Sequence, residues 1–110
     1  MRFVVIYRWT PQTFRVFAKR YITLLDGTAP EAVQEASKKY KLITVEISAT
    51  SQMIFNVGEV ADEDVVDLMP LIIYMQEVCV IESHVVQSFE DWSRSWDKLE
   101  ILDKVPPPEW

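Results

Sequence analysis

The segment Phe3-Val4-Val5-Ile6-Tyr7 constrains the fold more than any other stretch of the chain. Side chains alternate between the two faces of a strand, so a strand with one wet face alternates apolar with polar residues. Here both parities are apolar, and the residues are β-branched or aromatic, the types that suit a pleated surface. The segment therefore predicts a strand covered on both faces, which is a central one. A chain of 110 residues has room for one such core. By the scaling of folded and unfolded surface, roughly two thirds of its extended area is buried on folding, enough to stand without disulfides or metal. A composition 49% hydrophobic and 25% charged, with two glycines, excludes collagenous, low-complexity and largely disordered chains.

The rest of the chain reads as alternating helices and strands. Thr10-Pro11 is a helix start, and Phe14, Phe17, Ala18, Tyr21 and Leu25 recur at helical spacing, which predicts a helix over 11–25 closed by Asp26-Gly27. Thr28-Ala29-Pro30-Glu31 has capping-box spacing and opens a shorter helix to about Tyr40. The runs 42–48 and 53–58 alternate with period two and predict a hairpin. A three-residue connection would set Ile47 opposite Phe55 and Val45 opposite Val57, leaving Thr44, Glu46 and Ser48 with Asn56 and Gly58 on the other face. Asp62-Glu63-Asp64 suits a helix N-terminus, and Val65, Leu68, Met69, Ile72 and Met75 continue it, with Pro70 as a bend. Val78 to Val86 predicts a fourth strand. Ser88 caps a last helix with Phe89, Trp92, Trp96 and Leu99 on one stripe, and Pro106-Pro107-Pro108 leaves an extended tail. The expected organisation is one α+β domain over 1–103 and a Pro-rich tail over 104–110.

Charge and cysteine content narrow the partners. Residues 1–41 carry eight basic and three acidic side chains, and residues 42–110 carry three basic and fourteen acidic, which together give the net charge of −6. An acidic chain repels nucleic acid unless a basic patch is concentrated. Arg15, Lys19, Arg20, Lys38, Lys39 and Lys41 fall on positions that read as a solvated face, so no nucleic-acid partner is expected. The longest apolar stretch, 68–75, contains Pro70 and is far short of the ~20 residues a membrane span requires. The start of the chain is too short in apolar residues for a secretory leader. Cys79 has no partner cysteine and sits in an apolar run, which predicts an inert thiol in a reducing, cytoplasmic setting.

The order strand, helix pair, strand, strand, helix, strand, helix is that of a ferredoxin-like βαββαβ unit with a C-terminal extra helix. Its antiparallel sheet carries helices on one face, so a central strand apolar on both parities leaves the second face greasy. A second copy of the chain is the simplest cover. Burying about 600 to 800 Å² per chain there, at ~25 cal/mol per Å², yields a gross ~15 to 20 kcal/mol before association costs, on the scale of an obligate dimer. With the opening Arg2-Phe3-Val4-Val5-Ile6-Tyr7-Arg8-Trp9-Thr10-Pro11, this order over residues 2–87 resembles the dimeric α/β-barrel superfamily, in pattern its small uncharacterised members. The resemblance implies two facing sheets around a cavity. It does not choose a chemistry, because that superfamily includes cofactor-free monooxygenases, isomerases, haem enzymes and ligand-sensing modules.

The polar parities of the strands suggest one constellation, Arg8, Glu46, Asn56, Glu82 and His84, facing the expected dimer cavity. A carboxylate beside His84 would orient the ring and raise its basicity, and Arg8 would hold an anion, the parts of a proton-abstraction site; Glu46, Asn56 and Glu82 would contact a ligand. The same residues also read as an interface salt bridge of Arg8 with Glu46 or Glu82, with His84 at a strand rim. A lone histidine without ligand spacing predicts no metal and no haem, and no cofactor is expected. Tyr7, Trp9, Phe14 and Phe17 read either as core or as an aromatic pocket wall. Gly58, isolated in a strand, suggests a bulge. The sequence thus supports a cytoplasmic homodimer binding a small molecule in the sheet cavity. The alternatives are a cofactor-free monooxygenase or isomerase, and an interaction module using the last helix and tail.

Overall fold

A computed structural model of the chain describes residues 1–95. The elements run β1 (Arg2–Arg8), α1 (Phe14–Asp26), α2 (Glu31–Lys39), β2 (Lys41–Ser48), β3 (Met53–Glu59), a 3-10 helix (Asp62–Leu68), α3 (Met69–Gln76), β4 (Val80–Val86) and α4 (Phe89–Ser95). The four strands form one antiparallel sheet in the order β2-β3-β1-β4, so the doubly apolar first strand is central, as its sequence demands. The fold is α+β, and its helix complement exceeds a simple βαββαβ unit: two helices lie between β1 and β2, and a 3-10 helix precedes α3. Trp96, Leu99 and the Pro-rich tail lie outside the described residues.

The registers sort the side chains into two faces. Phe3, Val5 and Tyr7 of β1 align with Gly58, Asn56 and Ile54 of β3 and with Val85, Ser83 and Ile81 of β4. This parity meets the helices: Tyr7, Ile54, Phe17, Met75 and Val78 form the buried cluster, with Val5, Tyr21, Leu24, Leu71 and Ile81 packed on it. The other parity, Arg2, Val4, Ile6 and Arg8 with its neighbours, faces away from that cluster. α4 packs extensively on no described element.

Local chemistry moves several boundaries. α1 starts at Phe14 rather than 11 because Thr10 and Thr13 bond to each other first: Thr13 N–H donates to Thr10 O at 3.0 Å and Thr10 N–H to Thr13 Oγ1 at 2.9 Å. Its end is as expected, with Gly27 left-handed at φ 76°. The Thr28–Glu31 capping box does not form. Thr28 instead bonds Asp26 Oδ1 through N–H (3.0 Å) and hydroxyl (2.6 Å), and the Gln34 side-chain amide donates to the carbonyls of Gly27 and Ala29. Pro70 separates two elements rather than bending one, the 3-10 helix before it and α3, whose first turn tolerates the missing N–H. Val78 belongs to the turn leaving α3, its N–H bonded to Met75 O at 3.1 Å, so β4 begins at Val80.

The hairpin register differs from the expected one. Ser48 pairs with Met53, which makes the connection four residues, and Ile47 faces Ile54 while Val45 faces Asn56. Gln52 takes φ 53° to close the turn, and its carbonyl accepts the Trp9 N–H at 3.1 Å. The bulge also lies elsewhere. It falls in β2 between Leu42 and Thr44, opposite Gly58, while β3 runs regularly through the glycine. Gly58 is required by close approach: a Cβ there would fall inside the Tyr40 ring.

Candidate functional site

Side-chain pairing across the sheet lays out as a grid the face left uncovered among the described residues. One row reads Glu46, Phe55, Ile6, Glu82 from β2 to β4, and the next reads Thr44, Val57, Val4, His84. The flanking rows are Ser48, Met53, Arg8, Val80 and Lys41, Glu59, Arg2, Val86. The two central strands thus place Phe55, Ile6, Val57 and Val4 as an apolar centre. Around it runs a rim with three carboxylates (Glu46, Glu59, Glu82) and three basic side chains (Arg2, Arg8, Lys41).

Of the five residues placed together from sequence, three meet. His84 Nε2 lies 2.8 Å from Glu82 Oε2, and Arg8 reaches Glu82 Oε1 at 3.8 Å, all three exposed. The His84 contact, with the Arg8 charge adding to it, holds the Glu82 carboxyl below the usual carboxylate range. Glu46 is on the same face and in the same row as Glu82. It sits on the opposite edge strand, about 14 Å away at ~4.8 Å per strand, so it pairs with neither Arg8 nor His84. Asn56 is not on this face. Its place opposite Val5 turns it toward the helices, where it is 4% exposed and its Oδ1 accepts the Tyr40 hydroxyl at 2.6 Å. Arg8, Glu82 and His84 are the arrangement a carboxylate-oriented base and an anion-holding cation require. In a single chain they are also an open, solvated ion-pair chain of small energetic weight.

No family model, characterised protein or solved structure matches the chain. The site must therefore be read from its own geometry.

The helix side holds a cavity that sequence reasoning missed. Its volume is about 440 Å³, within the range of small-molecule sites. Phe3, Val5 and Ile81 of the sheet form one wall, and Val65, Leu68 and Leu71 form the other, with Tyr7 and Tyr40 between them. Ser83 and Gln76 add polar atoms. One sequence signal pointed here: α3, Met69–Gln76, is apolar on nearly every side, a pattern proper to a buried helix, yet Met69, Ile72 and Ile73 remain exposed. A second, shallower groove lies between α1 and β2, lined by Trp9, Phe14, Phe17 and Tyr21 opposite Ile47 and Ile54. The aromatics named from sequence therefore serve both ways. Trp9 stacks on Phe17 with ring centroids 4.8 Å apart, Phe17 and Tyr7 are core, and Phe14 is half exposed at the groove.

Among the described residues no three metal-ligating side chains cluster, and no helix is long and apolar enough to cross a membrane. Cys79 is half-buried, its S–H donates to Met75 O at 3.2 Å, and burial pushes its pKa up to about 11.

Proposed function

We propose that the protein is a homodimeric small-molecule-binding protein, built as a ferredoxin-like unit of the dimeric α/β-barrel kind, in which the uncovered sheet face of one chain covers that of a second copy. One observation carries this reading: Val4, Ile6, Phe55 and Val57 form an apolar centre inside a charged rim, the anatomy of a protein interface. The charge of the rim selects a second copy as the occupant. The chain as a whole carries −6, so identical molecules repel over most of their surface. The rim, with as many basic as acidic side chains, is the region where like chains meet without that penalty. A single cysteine with no second thiol to pair with, Cys79, supports a reducing compartment such as the cytoplasm.

In this arrangement Arg8, Glu82 and His84 lie at the edge of the space between the sheets, where Arg8 supplies a cation for an anionic or aromatic molecule. Native mass spectrometry of gently purified protein tests the reading: a two-copy species with retained small-molecule mass is expected, and a one-copy species at micromolar concentration contradicts it. The His84–Glu82 contact favours a second reading, a cofactor-free monooxygenase or isomerase with His84 as base and Arg8 supporting the anion. Turnover of a screened substrate that disappears in a folded His84→Ala variant is its expected signature, and unchanged turnover removes it.

A further inference from the structure

We propose that the helix-side cavity is a separate binding site for a small, largely apolar molecule carrying one hydrogen-bond acceptor, which the Tyr7 hydroxyl reads. The site lies on the opposite sheet face from the dimer contact and does not depend on it. Tyr7 is 7% exposed, pinned between Ile54 and Ile81 in the sheet and against Phe17 and Tyr21 of α1. Its hydroxyl bonds to none of the described residues, and neither does that of Tyr21 beside it, whereas the neighbouring Tyr40 and Tyr74 hydroxyls are both engaged, with Asn56 and Thr23. The residue is nearly enclosed while its hydroxyl, unmatched by the described protein groups, stays free to donate, so an acceptor entering from outside can pair with it.

No fully enclosed side-chain oxygen or nitrogen lacks a partner among the described residues. The Tyr7 hydroxyl therefore keeps some accessible surface, and its residue borders both the 440 Å³ cavity and a smaller space of about 100 Å³ beside it. Burial, with Tyr21, Cys79 and Tyr40 nearby, pushes its ionisation far above the ordinary range, so at neutral pH it is an intact hydroxyl able to donate to an incoming acceptor. The walls are otherwise apolar, and Val66, 76% exposed, stands with Met69 and Ile72 around the same cavity as uncovered apolar surface that an apolar guest shields.

Acetophenone and ethylbenzene are near-isosteric, and only the first carries an acceptor. Titrating each into the full chain while following backbone amide resonances tests the site. The expected result is shifts centred on residues bordering the cavity and a roughly three- to tenfold preference for acetophenone, the worth of one neutral hydrogen bond. Tyr7→Phe should weaken acetophenone alone and erase the preference. Ile81→Trp, which fills the cavity, should abolish both. Shifts centred elsewhere, equal affinity for the two probes in the wild type, or a preference that survives in Tyr7→Phe would each overturn the proposal. Should a variant fail to fold, the wild-type preference and the location of its shifts decide alone.

Discussion

Gly58 shows how much packing one missing side chain permits. The Tyr40 ring occupies the space a Cβ would take, and its hydroxyl satisfies the otherwise stranded Asn56. Gly58→Ala must expel the ring and unpair a buried amide, at an expected cost of about 2 to 4 kcal/mol in denaturant unfolding. Gly27→Ala, left-handed but with open space around it, should cost about 1 to 2 kcal/mol. Two exposed carboxyls make a small contribution to the acid side of stability. Glu59, bonded by Arg2 at 2.7 Å, and Glu82, bonded to His84, both ionise below the usual range. A carboxyl lowered on folding stabilises above its unfolded pKa, and that stabilisation fades as pH falls through the lower folded value. The urea midpoint should therefore drop between pH 5 and pH 3 by less in a Glu59→Gln, Glu82→Gln double variant than in wild type. Cys79, with its pKa near 11, should react with iodoacetamide at pH 8 about two orders of magnitude more slowly than an exposed thiol, until urea exposes it. The partly buried, apolar setting of Cys79 was legible from its run of neighbours. The Tyr40–Asn56 pair was not, because it joins residues sixteen apart through a close approach that no local pattern records.

At the scale of elements, existence and type were legible, while registers and edges followed local bonds that the pattern did not carry. Helices and strands announced themselves through period 3.6 or 2, Gly27 and Pro70. The hairpin misled because its loop is closed by Gln52 at φ 53°, a residue that carries none of the Gly or Asn signature such a turn usually shows. One extra loop residue placed Glu46 on the face opposite Asn56, and the β1–β3 register, with Asn56 beside Val5, kept Asn56 away from Arg8 and His84. Gln52→Gly should relieve the left-handed backbone and stabilise the protein by about 0.5 to 1 kcal/mol, read as a rise in melting temperature. Gln52→Val, stiff at the same φ, should lower it.

For the whole molecule, the doubly apolar first strand carried the architecture: it made β1 central and left one sheet face that no helix of the described residues packs on extensively. The helix-side cavity was hidden because it depends on how the 3-10 helix and α3 stand off from β1 and β4, a spacing set by tertiary packing alone. Ile6, at the middle of the uncovered face, is where the central claim is most exposed to test. Sedimentation equilibrium from about 1 to 100 µM on wild type and Ile6→Glu addresses it, because a carboxylate buried unpaired at the centre of an apolar contact should raise the dissociation constant at least about a hundredfold. A wild-type dimer and an Ile6→Glu monomer with unchanged circular dichroism is the predicted result. A wild-type monomer throughout that range, or a dimer that Ile6→Glu leaves intact, would contradict the account.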